Sequence, residues 1–142
     1  MPVSPRKIIL DCDLMKYTNS GLYHYCLNLG NEMSELLRED DSLGISFYVP
    51  PAARYDFNFA DAVIVEKKRW FRNYRPFLRN CHIWHAPFQS GRMLPDKRKY
   101  PDIKRLLTIH DLNPLHEGKS KEEQAKSLAH TQSLIHQADA LV

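Results

Sequence analysis

The sequence predicts an α/β fold built on a doubly wound, mostly parallel β-sheet. Short apolar strands alternate with amphipathic helices along the 142 residues, and parallel β-α-β units produce this alternation. The strands are apolar at consecutive positions, as expected where helices cover both faces of a sheet. The length corresponds to about one domain, and 43% hydrophobic and 26% charged residues are typical of a globular protein.

The first strand and the first helix form the opening unit of this pattern. Residues 7–11, KIILD, contain three consecutive apolar side chains and predict a buried strand. From about residue 21 to residue 38, apolar residues recur three, four and seven positions apart, so that they form one stripe of a helix. Asn19 and Ser20 precede this helix and are typical N-cap residues.

Four further strands are predicted before the last helix. Their sequences are ISFYV, AVIV, IWHA and RLLTI, and prolines follow the first and the third of them directly. These strands cover residues 45–49, 62–65, 83–86 and 105–109.

The last predicted helix covers residues 121–137. Ser120 and Glu123 form a capping box, in which each side chain can bond to the backbone N–H of the other residue. Residues 138–142, ADALV, resemble the beginning of a sixth strand. We therefore expect residues 1–142 to form a Rossmann-like domain at the N-terminus of a longer protein.

Composition narrows the cellular setting and the class of partner. No apolar run approaches the roughly 20 residues of a membrane span, and residues 8–10 are too short an apolar run for a signal peptide. The three cysteines are widely spaced, as expected for free thiols in a reducing compartment. We expect a cytoplasmic protein. The net charge of +3 does not by itself indicate a nucleic-acid partner.

Polar side chains follow several strands at the edge where ligands bind to parallel sheets. Asp11 ends the first strand, His85 lies near the end of the fourth, and His110 and Asp111 follow the fifth. Gly21 opens the first helix, whose N-terminal N–H groups favour an anion. We expect these groups to converge. The alternative is structural: each histidine bonds to a neighbouring loop, and Asp111 caps the following turn.

Residues 66–80, EKKRWFRNYRPFLRN, are basic and rich in aromatic residues. The aromatic residues lie at helical spacing, which suits contact of residues 66–79 with an anionic membrane surface or with a phosphorylated acceptor. This pattern predicts a protein peripheral to the inner face of a membrane. The alternative is a helix that packs on the core, exposes a basic face and breaks near Pro76.

Four segments resemble family 4 glycosyltransferases, which have the GT-B fold: SGLYHYCLNL, IWHAPFQSGRMLP, LLTIHDLNPL and LIHQADALV. In the first segment, the family's glycine, tyrosine and Asn-Leu pair correspond to Gly21, Tyr25, Asn28 and Leu29. The His-Asp segment after an apolar strand is the most specific match. Residues 50–80 carry no motif of the family, and this chain has one glycine where many members have two.

The resemblance implies transfer of a sugar from a nucleotide-sugar donor to a glycan or lipid-linked acceptor, with retention of the anomeric configuration. The chain would be the acceptor-side half, inactive without the nucleotide-binding half that follows it. Gly21 would approach the donor phosphate, and His110 would contact the transferred sugar and support catalysis. Ser20, His85 and Asp111 would bind substrate. The resemblance implies neither a metal nor another cofactor.

Two other enzyme classes stay open. Asp11 and Asp13 form the DxD pattern with which magnesium-dependent phosphatases of the haloacid-dehalogenase type begin, although Met15 stands where a threonine is expected. A metal hydrolase would use nitrogen and oxygen ligands. Its candidate ligands are His82, His85, His110, Asp111 and His116. Side chains three positions apart on a strand face opposite ways, which argues against joint ligation by the first two.

A non-enzymatic function is the last alternative. The basic segments could make the chain a binding module for anionic surfaces or nucleic acid. The sequence lacks a recognisable nucleic-acid motif, so we expect no nucleic-acid partner.

Overall fold

The computed structural model describes residues 5–58, 63–67, 73–112 and 117–142. Within these ranges the strands are β1 (Arg6–Asp11), β2 (Leu43–Val49), β3 (Val63–Val65), β4 (Ile83–Ala86), β5 (Lys104–Leu107) and β6 (Ala140–Leu141), and the α-helices are α1 (Gly21–Leu37) and α2 (Lys121–Gln137).

The six described strands form one sheet in the order β3-β2-β1-β4-β5-β6. Every neighbouring pair is parallel. This is the strand order of a Rossmann-like, doubly wound fold, in which the chain reverses its direction of growth between β1 and β4. The predicted fold class is confirmed.

The predicted elements agree closely with the observed ones. The bounds of β4 and α2 are those expected from the sequence, and β6 forms at the predicted position. The fifth strand ends at Leu107 and not at residue 109, although its backbone stays paired: the Thr108 N–H donates to Ala86 and the Ile109 N–H donates to Val142. The first residue of the predicted third strand, Ala62, lies outside the described residues.

The basic segment 66–80 differs from the continuous helix that its aromatic spacing predicts. Residues 73–75 are not helical, and Pro76–Asn80 forms a short 3-10 helix. Arg75 has φ −122° and ψ 67°, which lies outside the α region, because the ring of the following proline disfavours the α conformation at this position. Residues 68–72 lie outside the described part of the chain.

Apolar side chains fill both faces of the sheet. On one face α1 covers a cluster around Leu10, Cys26 and Phe47. On the other face α2 contributes Leu134 to a cluster that includes Trp84. Because successive residues of a strand alternate between faces, and because Leu10 pairs with His85, the side chain of His85 lies on the α1 face.

The helix starts confirm the predicted caps. The Ser20 hydroxyl accepts the Tyr23 N–H at 3.2 Å at the start of α1. At α2, Ser120 accepts the Glu123 N–H at 3.3 Å, and the Glu123 carboxylate accepts the Ser120 N–H at 2.9 Å. Among the described residues, no helix is both long and apolar enough to cross a bilayer.

A buried arginine joins β5 to its surroundings. Arg105 is 1% exposed, and its guanidinium donates to the carbonyls of Pro95 and Tyr100 at 2.8 and 2.6 Å. It also pairs with Asp139, just before β6, at 3.2 Å. Because a buried charge is tolerated only when its donors are satisfied, these bonds fix β5 and β6 relative to the loop before β5.

The three cysteines are buried and free, as predicted. Burial raises the pKa of the Cys81 thiol to about 11. The pKa of Cys12 is also raised, by burial and by a hydrogen bond to Cys26. These thiols therefore behave as small apolar core residues.

Candidate functional site

A cavity at the carboxyl edge of the sheet brings Gly21 and His110 together. Its volume is about 470 Å³, within the range of small-molecule sites. Its lining residues are Gly21, Leu22, Tyr25, Phe88, His110 and Asp111. Thus the N-terminus of α1 and the loop after β5, which sequence reasoning selected separately, face one space. Ser20 lies next to this space as the N-cap of α1.

The imidazole of His110 is held in one orientation. Its Nε2 lies 2.8 Å from the carbonyl oxygen of Pro87. Because a carbonyl only accepts hydrogen bonds, Nε2 carries the hydrogen, and in the neutral ring Nδ1 is then the acceptor. The ring packs edge-on against Tyr25, with centroids 4.4 Å apart, and lies 5.7 Å from the ring of Phe88.

The backbone of the His-Asp segment is held by a residue that sequence reasoning missed. The Gln89 side chain accepts the His110 N–H at 3.2 Å and donates to the Asp111 carbonyl at 2.7 Å. Both Gln89 and its neighbour Phe88 follow β4 in a loop without periodic pattern. The sequence carried no local signal for either contact.

His85 lies inside the core and is not part of the cavity lining. It is 6% exposed, and its Nε2 lies 3.0 Å from the Thr108 hydroxyl. Burial lowers the pKa of His85 to about 4, so the ring is neutral near pH 7. The structure therefore places Gly21, Ser20, His110 and Asp111 at one edge, with His85 beneath them on the α1 face.

A second polar cluster follows β1. Asp13 is 2% exposed, and its carboxylate pairs with the Arg92 guanidinium at 2.7 Å. Arg92 also contacts Glu66 at 3.4 Å. The Asp11 carboxylate accepts the Asp13 N–H at 3.2 Å, and burial, reinforced by the charge of Asp13, raises the pKa of Asp11 well above its usual value. The sequence identified the two aspartates but not Arg92.

A smaller cavity adjoins the first. Its volume is about 170 Å³. Phe88, Gln89 and Asp111 line it on the side of the strand ends, and α2 contributes Ser127 and Thr131 to its lining. Phe88 and Asp111 line both spaces. The loops after β4 and β5 therefore shape a continuous edge from α1 to α2.

The described candidates for metal ligands do not come together. Within the described ranges, no group of three His, Cys, Asp or Glu side chains is placed to hold a metal ion. His82 accepts the Lys7 N–H at 3.0 Å through Nδ1, and His116 lies outside the described residues.

No family model, curated protein or solved structure matches this chain. Any function of the cavity must therefore be inferred from the residues that line it.

Proposed function

We propose that the chain is the acceptor-side domain of a retaining glycosyltransferase. The enzyme moves a sugar from a nucleotide-sugar donor to a glycan or lipid-linked acceptor, and a second, nucleotide-binding domain completes its cleft. The observation that carries this proposal is the shared cavity of Gly21 and His110, which joins an anion-favouring helix start to a fixed imidazole.

The N-terminus of α1 is suited to the phosphates of the donor. The first N–H groups of a helix have no partner within that helix, and the 17 residues of α1 supply an aligned dipole. Ser20 caps the Tyr23 N–H, which leaves the preceding N–H groups toward Gly21 for an anion. Sugar transfer releases a nucleoside diphosphate, so a positive potential at this point stabilises the developing charge.

His110 is suited to orient the transferred sugar. Its Nε2–H is committed to the Pro87 carbonyl, and Nδ1 can then accept a hydrogen bond from a sugar hydroxyl. Asp111 adds a carboxylate at the same wall, and Tyr25 and Phe88 supply apolar surface. Orientation of this kind contributes to rate because the reacting groups are already aligned.

The test uses the product of the complete reading frame that contains this chain. It is incubated with uridine and guanosine diphosphate sugars and with glycan or lipid-linked acceptors, and the released nucleoside diphosphate is measured. Proton NMR of the product should show the anomeric configuration of the donor. His110→Ala should lower kcat about 100-fold or more and leave the far-UV circular dichroism spectrum unchanged.

The matched control is His136→Ala, which removes an exposed histidine in the last turn of α2. This variant should keep wild-type activity. Absence of transfer with every donor, or full activity of His110→Ala, contradicts the proposal.

The basic segment 66–79 is proposed to bring the domain to anionic lipid headgroups at the inner face of the membrane. In its described part, Lys67 lies over the ring of Tyr74, 5.0 Å from the centroid, and Tyr74 is 63% exposed. Binding to vesicles that contain phosphatidylserine should weaken as salt is raised. Equal binding to neutral vesicles contradicts it.

A further inference from the structure

The segment that carries His110 leaves the sheet without a regular structure to hold it. The last sheet-like bond is donated by Ile109 to Val142. His110 and Asp111 follow in an irregular loop, and both are exposed. Something other than the sheet must set their position.

We propose that Gln89 is a positioning residue that fixes the His110-Asp111 backbone against the loop after β4. Its Oε1 accepts the His110 N–H at 3.2 Å, and its Nε2 donates to the Asp111 carbonyl at 2.7 Å. The two bonds need one acceptor and one donor on the same planar group, which a side-chain amide provides. A carboxylate offers no donor, and an apolar side chain offers neither.

A third bond from the same loop acts on the ring. The Pro87 carbonyl accepts the His110 Nε2–H at 2.8 Å. Pro87 is buried directly after β4, and the Ala86 carbonyl before it accepts the Thr108 N–H at 2.9 Å. Four hydrogen bonds therefore join residues 86–89 to residues 108–111. The three made by Pro87 and Gln89 determine the position of His110 and which nitrogen of its ring remains available.

Gln89 should therefore contribute little to the stability of the domain but strongly to the position of His110. Its two bonds lie at the exposed edge of the molecule, where a hydrogen bond competes with water and adds little to stability. Catalysis is far more sensitive, because a displacement of about 1 Å at a reacting group can lower the rate about 100-fold. Loss of Gln89 should thus disturb His110 without unfolding the domain. This role in sugar transfer depends on the proposed function.

The first measurement does not depend on activity. Nitrogen-15 NMR of the His110 ring at pH 8 should show a protonated Nε2 and a pyridine-like Nδ1 in the 142-residue chain. In Gln89→Leu, which is similar in size and lacks both bonds, the two tautomers should mix and the His110 amide signal should broaden. In Gln89→Glu, which keeps only the acceptor, the change should be intermediate. The control is Gln137→Leu, since Gln137 is exposed and bonds within its own helix.

The second measurement is kinetic and uses the product of the complete reading frame. Gln89→Leu should lower kcat about 10- to 100-fold, change the donor KM less than about threefold and leave the urea midpoint unchanged. Unaltered His110 signals in Gln89→Leu overturn the proposal, as does wild-type kcat where His110→Ala is inactive. If no form transfers sugar but the His110 signals change as expected, the proposed function fails, while the positioning of His110 by Gln89 is supported.

Discussion

Replacing His85 should change how the stability of the domain depends on pH. Its side chain is 6% exposed on the α1 face of the sheet, and Nε2 lies 3.0 Å from the Thr108 hydroxyl. The ring is thus held where its neutral form is favoured. The variant His85→Gln keeps a polar group that can reach Thr108 but removes the titratable ring.

The sign and size of the effect follow from the two pKa values. Burial lowers the pKa of His85 from the ordinary 6.5 to about 4. The unfolded chain takes up a proton below about pH 6.5 while the folded chain excludes it, so stability is lost as the pH falls from about 6.5 toward 4. At 1.36 kcal/mol per pKa unit, the loss by pH 5 is about 2 kcal/mol, and below pH 4 it levels off at about 3 kcal/mol.

Urea denaturation at pH 7.5 and at pH 5.0 measures this loss. The other titrating groups include Asp11, whose raised pKa acts in the opposite direction because folding then favours the protonated carboxyl. The contributions of these other groups cancel when the change in unfolding free energy between the two pH values is compared for the wild type and for His85→Gln. The variant should lose about 2 kcal/mol less between the two pH values. His136→Gln leaves the buried ring in place and should follow the wild type; equal losses in wild type and His85→Gln refute the reasoning.

Two further substitutions test the close approach of Gly91 to α2 and the buried ion pair of Arg92. Gly91→Ala should destabilise by about 3 kcal/mol, because Gly91 has φ +61° and an added Cβ would overlap a methyl group of Leu134. Gly118→Ala should cost only about 1 kcal/mol, because Gly118 has φ +66° but none of the described residues lies within 4 Å of an added Cβ. Equal urea midpoints for the two alanine variants contradict this. Arg92→Met should cost about 2 kcal/mol, because it leaves the carboxylate of Asp13, 2% exposed, without its cation; thermal unfolding at pH 8 measures it.

The control for the ion pair lies on α2. Lys126 pairs with Glu122 at 2.8 Å, and both side chains are more than 70% exposed. Lys126→Met should therefore change stability by less than about 0.5 kcal/mol. If this variant and Arg92→Met lose the same stability, the burial of the Asp13 carboxylate does not explain the stability that Arg92 contributes.

The elements of the fold could be predicted because each one depends on a local pattern. The start of α2 follows from its capping box, and the end of β4 follows from Pro87 directly after the strand. The parallel sheet follows from the alternation of such segments. The pattern failed at residues 73–75, where the preference of Arg75 before Pro76 outweighs helical aromatic spacing.

The site was predictable only in its outline. Strand ends and a helix start place Gly21 and His110 at the same edge by topology. The inward direction of His85 depends on its register with Leu10, which an apolar strand covered on both faces does not reveal. Arg92 meets Asp13 across 79 positions of sequence, and Gln89 reaches His110 from an aperiodic loop; contacts of this kind exist only once the strands have assembled.

The aspartates after β1 and the histidine after β5 differ in how far the protein itself engages their side chains, and this difference bears on the proposed enzyme class. A phosphatase of the DxD type needs ionised carboxylates free for a nucleophile and a magnesium ion. Here Asp13 is paired with Arg92, and burial raises the pKa of Asp11, which favours its non-nucleophilic, protonated form. His110 instead faces a cavity of about 470 Å³. The carboxylate of Asp13 is already engaged by Arg92, whereas His110 lines an accessible cavity, and this contrast argues against the phosphatase alternative more than against the proposed sugar transfer.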